Sequence, residues 1–175
     1  MTQSGSKHDR FMQEVLKLAR AALAEGGAPL AALVRQGDRI AARAHALPDA
    51  DELRQHPELM AMESAGEAAR GASLYAAVEP CAMCFAAAAL MGVREVIYAV
   101  PDPRQGGFHT LIPIGDLAER SPAAVGGILR QEALALLRQF VDQHPKSPRA
   151  PHLRKLLDDT PLPPDPRGLP REGKG

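Results

Sequence analysis

The sequence predicts an α/β fold that forms one domain and is followed by a tail. Segments whose apolar residues recur every three or four positions alternate with short continuous apolar runs, in the order α-β-β-α-β-α-β. Hydrophobic residues account for 45% of the 175 residues, which is enough to form a buried core, but aromatic residues account for only 3%. Leucine, alanine, valine and isoleucine must therefore fill this core.

The first half of the chain predicts a helix, a β-hairpin and a second helix. Residues 6–24 carry apolar side chains on one helical face, and this helix is expected to end near Gly26. Residues 30–34 and 39–44 flank a short polar turn and predict the two strands of the hairpin. The second helix is expected to begin at Pro57, because proline is favoured at the first helical position, and to end at a Gly71 cap.

The next part of the chain alternates strands and helices. Residues 73–78 and 95–100 are short apolar runs that predict buried strands. Residues 81–91 lie between them and predict a helix that Pro80 opens, and residues 128–141 predict the last packed helix. We therefore assign residues 1–144 to a single domain.

The remaining residues, 145–175, predict a tail that is extended and partly disordered. This segment contains eight of the sixteen prolines and few apolar residues, so it has little with which to build a core. One short helical candidate, residues 151–158, interrupts it.

The charge and the apolar pattern exclude several classes of protein. The 21 Lys and Arg residues balance the 21 Asp and Glu residues, so the chain lacks the strong basic field that long nucleic acids attract. The longest apolar run, residues 82–93, is shorter than the ~18 residues that a membrane span needs. The two cysteines lie too close together to cross-link a secreted fold. We expect a soluble, cytoplasmic protein that does not use a membrane.

Two short motifs carry the chemistry of the predicted site. His56-x-Glu58 and Pro80-Cys81-x-x-Cys84 each stand where a helix is expected to begin. The two cysteines are three positions apart, so both side chains lie on one side of their helix. The third residue, His56, must come from the start of the other helix. On its own, a Cys-x-x-Cys pair also suits a zinc knuckle, a redox pair or two buried thiols. With the histidine, the motifs provide three ligands for one zinc ion, and the open fourth position is typical of a catalytic zinc.

The carboxylate in the first motif has a separate role in this prediction. Glu58 is expected to lie beside the metal-bound water rather than on the metal, where it can accept a proton and pass it to a substrate nitrogen. Both helix N-termini would also direct partial positive charge at the two thiolates. Glu58 is therefore the predicted general acid and base.

These motifs resemble the zinc-dependent cytidine deaminase superfamily, over roughly residues 11–140. Residues 74–84, 96–103 and 126–129 look most like the branch that holds tRNA adenosine deaminases and guanine or cytosine deaminases. The resemblance implies a three-layer α-β-α fold with a central mixed sheet, one zinc ion per chain and a homodimer. It also implies that zinc-activated water attacks the carbon bearing an exocyclic amine, that Glu58 transfers the protons and that ammonia leaves.

Three departures from the tRNA adenosine branch bear on the substrate. Residues 45–47 read His-Ala-Leu where that branch has His-Asn-Arg, and residues 53–55 read Leu-Arg-Gln where relatives tend to have Asp-Pro-Thr. Pro57 replaces an alanine and has no backbone N–H. We therefore expect a small nucleobase or nucleoside as substrate, with adenosine in tRNA second and not favoured. A non-catalytic, zinc-stabilised partner subunit is the third hypothesis.

The substrate contacts are the least determined part of the prediction. Phe108 and His109 follow the last strand of the α/β pattern and are candidates for stacking on a base. Three further histidines outside the motif, His45, His144 and His152, are interpreted as surface or loop residues. Glu79 is expected to make a structural hydrogen bond.

Overall fold

The computed structural model describes residues 7–48, 55–110 and 119–159. Within these ranges the chain forms six α-helices, a 3-10 turn and five strands. In chain order they are α1 (Lys7–Ala24), β1 (Ala31–Gln36), β2 (Arg39–His45), α2 (Pro57–Ala65), the 3-10 turn (Gly66–Ala69), β3 (Ser73–Val78), α3 (Ala82–Leu90), β4 (Glu95–Val100), α4 (Gly107–Thr110), β5 (Ala123–Gly126), α5 (Arg130–Gln143) and α6 (Ala150–Asp159).

The strands form one mixed sheet in the order β2-β1-β3-β4-β5. β1 pairs antiparallel with both β2 and β3, whereas β4 pairs parallel with both β3 and β5. The predicted hairpin and buried strands are therefore confirmed. The sequence did not predict β5, which has only four residues and whose burial pattern is mostly exposed.

Two apolar layers cover the two faces of the sheet and confirm the predicted α-β-α architecture. One layer joins α1, α5 and α6 to the sheet and includes Phe11, Ile97 and Leu134. The other joins α2 and α3 to the opposite face and includes Met62 and Leu74. Side chains alternate between the faces along each strand, so a buried strand must be apolar at every position. All six residues of β3 are buried.

The second helix is shorter than predicted. α2 ends at Ala65, and a 3-10 turn continues to Ala69, whereas the sequence predicted a helix that reaches Gly71. Gly66 has a positive φ of 55°, a conformation that glycine adopts without the steric cost of a Cβ atom. This backbone turn ends the α-helix although the apolar spacing continues.

The parallel pair β3 and β4 positions the functional residues. Both strands end at the same edge of the sheet, and the segments that follow them begin at Glu79 and Pro101. Ligands bind at this edge in open α/β sheets because the connecting loops meet there. The backbone N–H of Glu79 donates to the carbonyl of Val100, which holds the two loop origins together (2.8 Å).

Helix α6 belongs to the packed structure. It coincides with the helical candidate at residues 151–158, and its Ala150, Leu153 and Leu156 are buried in the same layer as α1 and α5. Residues 160–175 lie outside the described residues, and the boundary at residue 144 stays a prediction. No helix in the described ranges is long and apolar enough to span a bilayer.

The buried side chain of Leu156 provides a test of how α6 contributes to stability. We expect Leu156→Ala to lower the free energy of unfolding by about 2–5 kcal/mol, because it removes apolar contacts and leaves a cavity. Lys155→Ala, at the exposed neighbouring position, serves as the control and should change it by less than about 0.5 kcal/mol. Chemical denaturation measures both values, and equal effects would contradict the packing described above.

Candidate active site

The first half of the site lies at the start of α2. His56 is the N-cap residue in an extended conformation, and its carbonyl accepts the N–H of Met60 (3.0 Å). Pro57 occupies the first helical position, where its missing N–H has no partner to lose. Glu58 follows in the first turn and is buried. The local sequence thus directs both functional side chains of this motif to one end of the helix.

The second half lies at the start of α3, directly after β3. Cys81 is the N-cap residue, also extended, and Cys84 is buried one turn further on. A short bridge to Gly106 fixes this backbone, because Ala82 donates to the carbonyl of Gln105 and Gly107 donates to that of Pro80. The expectation that both motifs stand at helix starts is confirmed.

The three predicted ligand atoms converge. The Nδ1 atom of His56 lies 3.5 Å from the sulfur of Cys81 and 3.3 Å from that of Cys84, and the two sulfurs are 3.6 Å apart. Zinc bound tetrahedrally at about 2.3 Å from sulfur and about 2.0–2.1 Å from nitrogen separates two sulfurs by about 3.8 Å and sulfur from nitrogen by about 3.6 Å. The donor set and its spacing therefore fit a single zinc ion.

Protons occupy this cluster in the absence of a metal. The hydrogen bond between the two sulfurs lowers the pKa of Cys81 to about 4 and raises the pKa of Cys84 well above its ordinary value. The hydrogen bond with Cys81 also raises the pKa of His56, against the opposing effect of its burial. A metal ion must displace these protons, so its binding releases them and weakens as the pH falls.

Glu58, the predicted proton carrier, lies beside the cluster. Its Oε2 atom lies 3.8 Å from the sulfur of Cys84, close to the metal ligands but outside the group of atoms that converge. Burial raises the pKa of Glu58 to about 7, and nearby hydrogen bonds only partly oppose this effect. A carboxyl group that titrates near neutral pH can both accept and return a proton under ordinary conditions.

Glu79 organises the loop opposite the metal ligands. Its Oε2 accepts the N–H of Asp102 (2.9 Å) and its Oε1 accepts the N–H of Phe108 (3.2 Å), which confirms the expected structural hydrogen bonding. A Cβ atom on Gly106 would lie 2.2 Å from the carboxyl carbon of Glu79, so only glycine permits this approach. The loop is therefore held against the start of α3.

A cavity of about 130 Å³ adjoins the cluster. Both motifs line it through His56, Glu58 and Cys81, and the loop after β4 contributes Asp102 and Gln105. Cavities for drug-sized ligands measure about 300–1,000 Å³, so this one suits a single small heterocycle. Its remaining polar lining includes Arg149 and His152 from the C-terminal segment.

The sequence missed the contribution of the C-terminal segment. His152, interpreted as a surface or loop residue, donates a hydrogen bond from Nε2 to the buried carboxylate of Asp102 (Oδ2, 2.8 Å). Arg149 donates to the carbonyl of Gln55 (3.2 Å), immediately before His56. The two contacts join residues that are 50 and 94 positions apart in the sequence, so no local sequence pattern predicts them.

Phe108 does not line the cavity described here. Its side chain is 54% exposed, and its ring centre lies 6.4 Å from that of Phe85. The side chain of His109 is outside the described residues. Their proposed contact with substrate therefore stays a prediction.

Known proteins with similar sequences and structures include several deaminases. Over 162 residues the chain is 29% identical to the tRNA-specific adenosine deaminase of Bacillus subtilis strain 168, covering 88% of this chain and 99% of that protein. A solved structure from work on A-to-I editing by tRNA:A34 deaminases matches with a TM-score of 0.61 and 27% identity, covering 73% of this chain and 98% of that one. A guanine deaminase structure from Nitrosomonas europaea matches with a TM-score of 0.62 and 27% identity, covering 75% and 83%.

These similarities correct one expectation about partners. The departures at residues 45–47, residues 53–55 and Pro57 led us to rank tRNA below small substrates. Relatives named tRNA-specific adenosine deaminases do not support that ranking. Of the departing residues that the structure describes, Gln55 and Pro57 line the cavity, whereas Leu47 is 45% exposed and does not line it.

The family itself follows from the match and from the site. Residues 5–100, more than half of the chain, match the model of the cytidine and deoxycytidylate deaminase zinc-binding region. The mixed sheet with its helices is the fold of the deaminase structures above. The cofactor of this region is zinc, and its chemistry is the hydrolytic deamination of nucleobases and nucleosides. The chain therefore belongs to the cytidine and deoxycytidylate deaminase family of zinc-binding proteins.

Proposed function

We propose that this protein is a zinc-dependent hydrolase that converts the exocyclic amine of a nucleobase or nucleoside to a keto group. His56, Cys81 and Cys84 would hold the metal, and Glu58 would move the protons. The observation that carries the proposal is the buried carboxylate of Glu58 beside a converged set of three ligand atoms. A closed structural zinc site uses four protein ligands, and no fourth one joins this group among the described residues.

The residues of the chain account for each proton transfer. Bound zinc would lower the pKa of a water molecule and make it a nucleophile at neutral pH. Glu58 accepts the proton released from that water and delivers it to the ring nitrogen next to the reacting carbon. Glu58 then takes the remaining proton from the hydroxyl group that the attack has placed on that carbon and passes it to the leaving amine as the C–N bond breaks, so that a C=O group and ammonia result. The pKa of Glu58, raised to about 7 by burial, suits both transfers.

Two substrates are consistent with this chemistry. The small cavity favours a free base or nucleoside. The relatives named tRNA-specific adenosine deaminases favour adenosine in tRNA, which would enter as an extruded base. The intact Glu58 beside the three ligand atoms argues against a non-catalytic subunit, because it is the carboxyl group that the proposed proton transfers require.

Location and assembly are further parts of the proposal. We infer a cytoplasmic location, because a reducing compartment keeps thiol ligands from forming disulfides. We also infer a homodimer, and the apolar side chains of Met83 and Leu90 on α3 support it because they are 47% and 64% exposed.

The decisive experiment measures ammonia release by zinc-loaded protein. The panel contains guanine, cytosine, adenine, their nucleosides and an anticodon stem-loop that carries adenosine. Release from a small substrate or from the stem-loop identifies the substrate and supports the proposal. Zinc-loaded protein that releases no ammonia from any of them contradicts it.

Replacing the proposed proton carrier tests the mechanism. We expect Glu58→Gln to lower kcat by at least about 100-fold, since the amide cannot transfer a proton, while the zinc content stays at one per chain. Glu63→Gln, an exposed acid on the same helix, is the matched control and should retain full activity. Retention of most activity by Glu58→Gln would refute the assigned role.

Removing one proposed ligand tests the metal site. We expect Cys84→Ser to lose zinc during dialysis against a chelator that leaves the wild-type protein loaded, because the hydroxyl is a weaker ligand than a thiolate. The thermal midpoint Tm should rise on zinc addition in the wild type and much less in the variant. His45→Ala removes a histidine outside the cluster and should behave as the wild type, as measured by metal analysis and calorimetry.

The predicted stacking residue has a test of its own. If Phe108 stacks on the base, Phe108→Ala should raise KM by about tenfold, the loss expected from one stacking contact, and leave kcat nearly unchanged. Leu90→Ala, which removes another exposed apolar side chain, serves as the control. An unchanged KM would remove Phe108 from the list of substrate contacts.

A further inference from the structure

Helix α6 lies beyond the matched family region, residues 5–100, yet it adjoins the proposed site. Its buried Ala150, Leu153 and Leu156 hold it against the apolar layer of the sheet. The side opposite those contacts is exposed at Arg154 and Lys155. Between these two surfaces, Arg149 and His152 face the cavity beside the metal ligands.

We propose that Arg149 and His152 are substrate-binding residues, and that α6 is the wall that presents them to the base. The inference rests on the proposed function, because the cavity they line is the one that would hold the substrate. It concerns what binds in front of Glu58 rather than the chemistry that Glu58 performs.

Arg149 connects this wall to the first metal-ligand motif. It caps the start of α6, where its carbonyl accepts the N–H of Leu153 (3.1 Å). Its Nη2 donates to the carbonyl of Gln55, so the guanidinium is held next to His56. An arginine carries five N–H donors, and those that remain can bind an oxygen or ring nitrogen of the substrate. The cavity lining also includes the carboxylates of Glu58, Glu79 and Asp102, so the guanidinium adds a cation that selects for such an acceptor.

His152 connects the wall to the loop that follows β4. Asp102 is buried, its Oδ1 accepts the N–H groups of Arg104 and Gln105 (both 3.0 Å), and its Oδ2 bonds to Nε2 of His152. An ionised Asp102 accepts the bond from Nε2–H. The Nδ1 atom of the neutral imidazole is then an acceptor for an N–H group of the substrate.

An ion pair also holds α6 against the loop that follows β4. Arg104 in the loop binds the carboxylate of Asp159 at the far end of α6, with one contact at 3.2 Å between Nη2 and Oδ1. The helix thus contacts the loop near both of its ends and the segment before His56 at its start. Since Glu79 holds that loop against α3, α6 joins the two halves of the metal site.

The test compares pocket-facing and solvent-facing variants of the full-length, zinc-loaded protein. We expect Arg149→Ala and His152→Ala each to raise KM by about tenfold, the loss expected from one hydrogen bond, with kcat within about threefold of the wild type. Arg154→Ala and Lys155→Ala, which remove exposed cations from the same helix, should leave KM unchanged. The substrate is whichever panel member releases ammonia.

Two further measurements separate binding from structure. His152→Lys keeps an N–H donor for Asp102 but has no hydrogen-bond acceptor, so it should restore Tm without restoring KM. Zinc analysis should give one ion per chain for every variant. A lowered Tm with unchanged KM in Arg149→Ala and His152→Ala would show that these residues only stabilise α6, and it would overturn the inference.

Titration calorimetry with the panel distinguishes this inference from the proposed function. Binding without ammonia release in the wild type, weakened by Arg149→Ala, would contradict the proposed function and support the inference. Ammonia release with unaltered KM in both alanine variants would support the proposed function and contradict the inference. A wild-type protein that neither binds nor converts any member of the panel would contradict both.

Discussion

The rest of the structure depends on the requirement that three ligand atoms from two separate helices meet within one tetrahedron. His56 and Cys81 solve this by occupying the N-cap positions of α2 and α3, where the backbone is extended and the side chain points back across the helix end. Cys84 follows one turn later. The apolar layer that contains Met62 and Leu74 holds the helices in register, so packing far from the metal ligands determines their separation.

Burial at this site serves chemistry as well as stability. A carboxyl group that is 8% exposed is costly to ionise, and this cost raises the pKa of Glu58 towards neutrality. Glu79 and Asp102 are buried too, but their oxygens accept hydrogen bonds from backbone N–H groups of the loop beside the cavity. These hydrogen bonds fix the conformation of that loop. Three buried acids thus differ in role because their hydrogen-bond partners differ.

The C-terminal helix changes how the site is understood. The family region ends at residue 100, whereas polar groups from α6 lie beside the same cavity. In the proposed assignment, the residues for the reaction and those for substrate binding therefore lie in different parts of the chain. This is consistent with the general rule that a fold does not determine its substrate.

The sequence by itself determined the α/β class, the helix starts and the three side chains that converge between those helices. Each rests on local rules, namely apolar periodicity, proline at the first helical position and ligand spacing, and these operate within a few residues. It did not predict β5, which is short and mostly exposed, or the early end of α2 at Gly66. Only the tertiary structure decided that His152 meets Asp102 and that Arg149 meets Gln55, because both contacts depend on how α6 packs against the sheet.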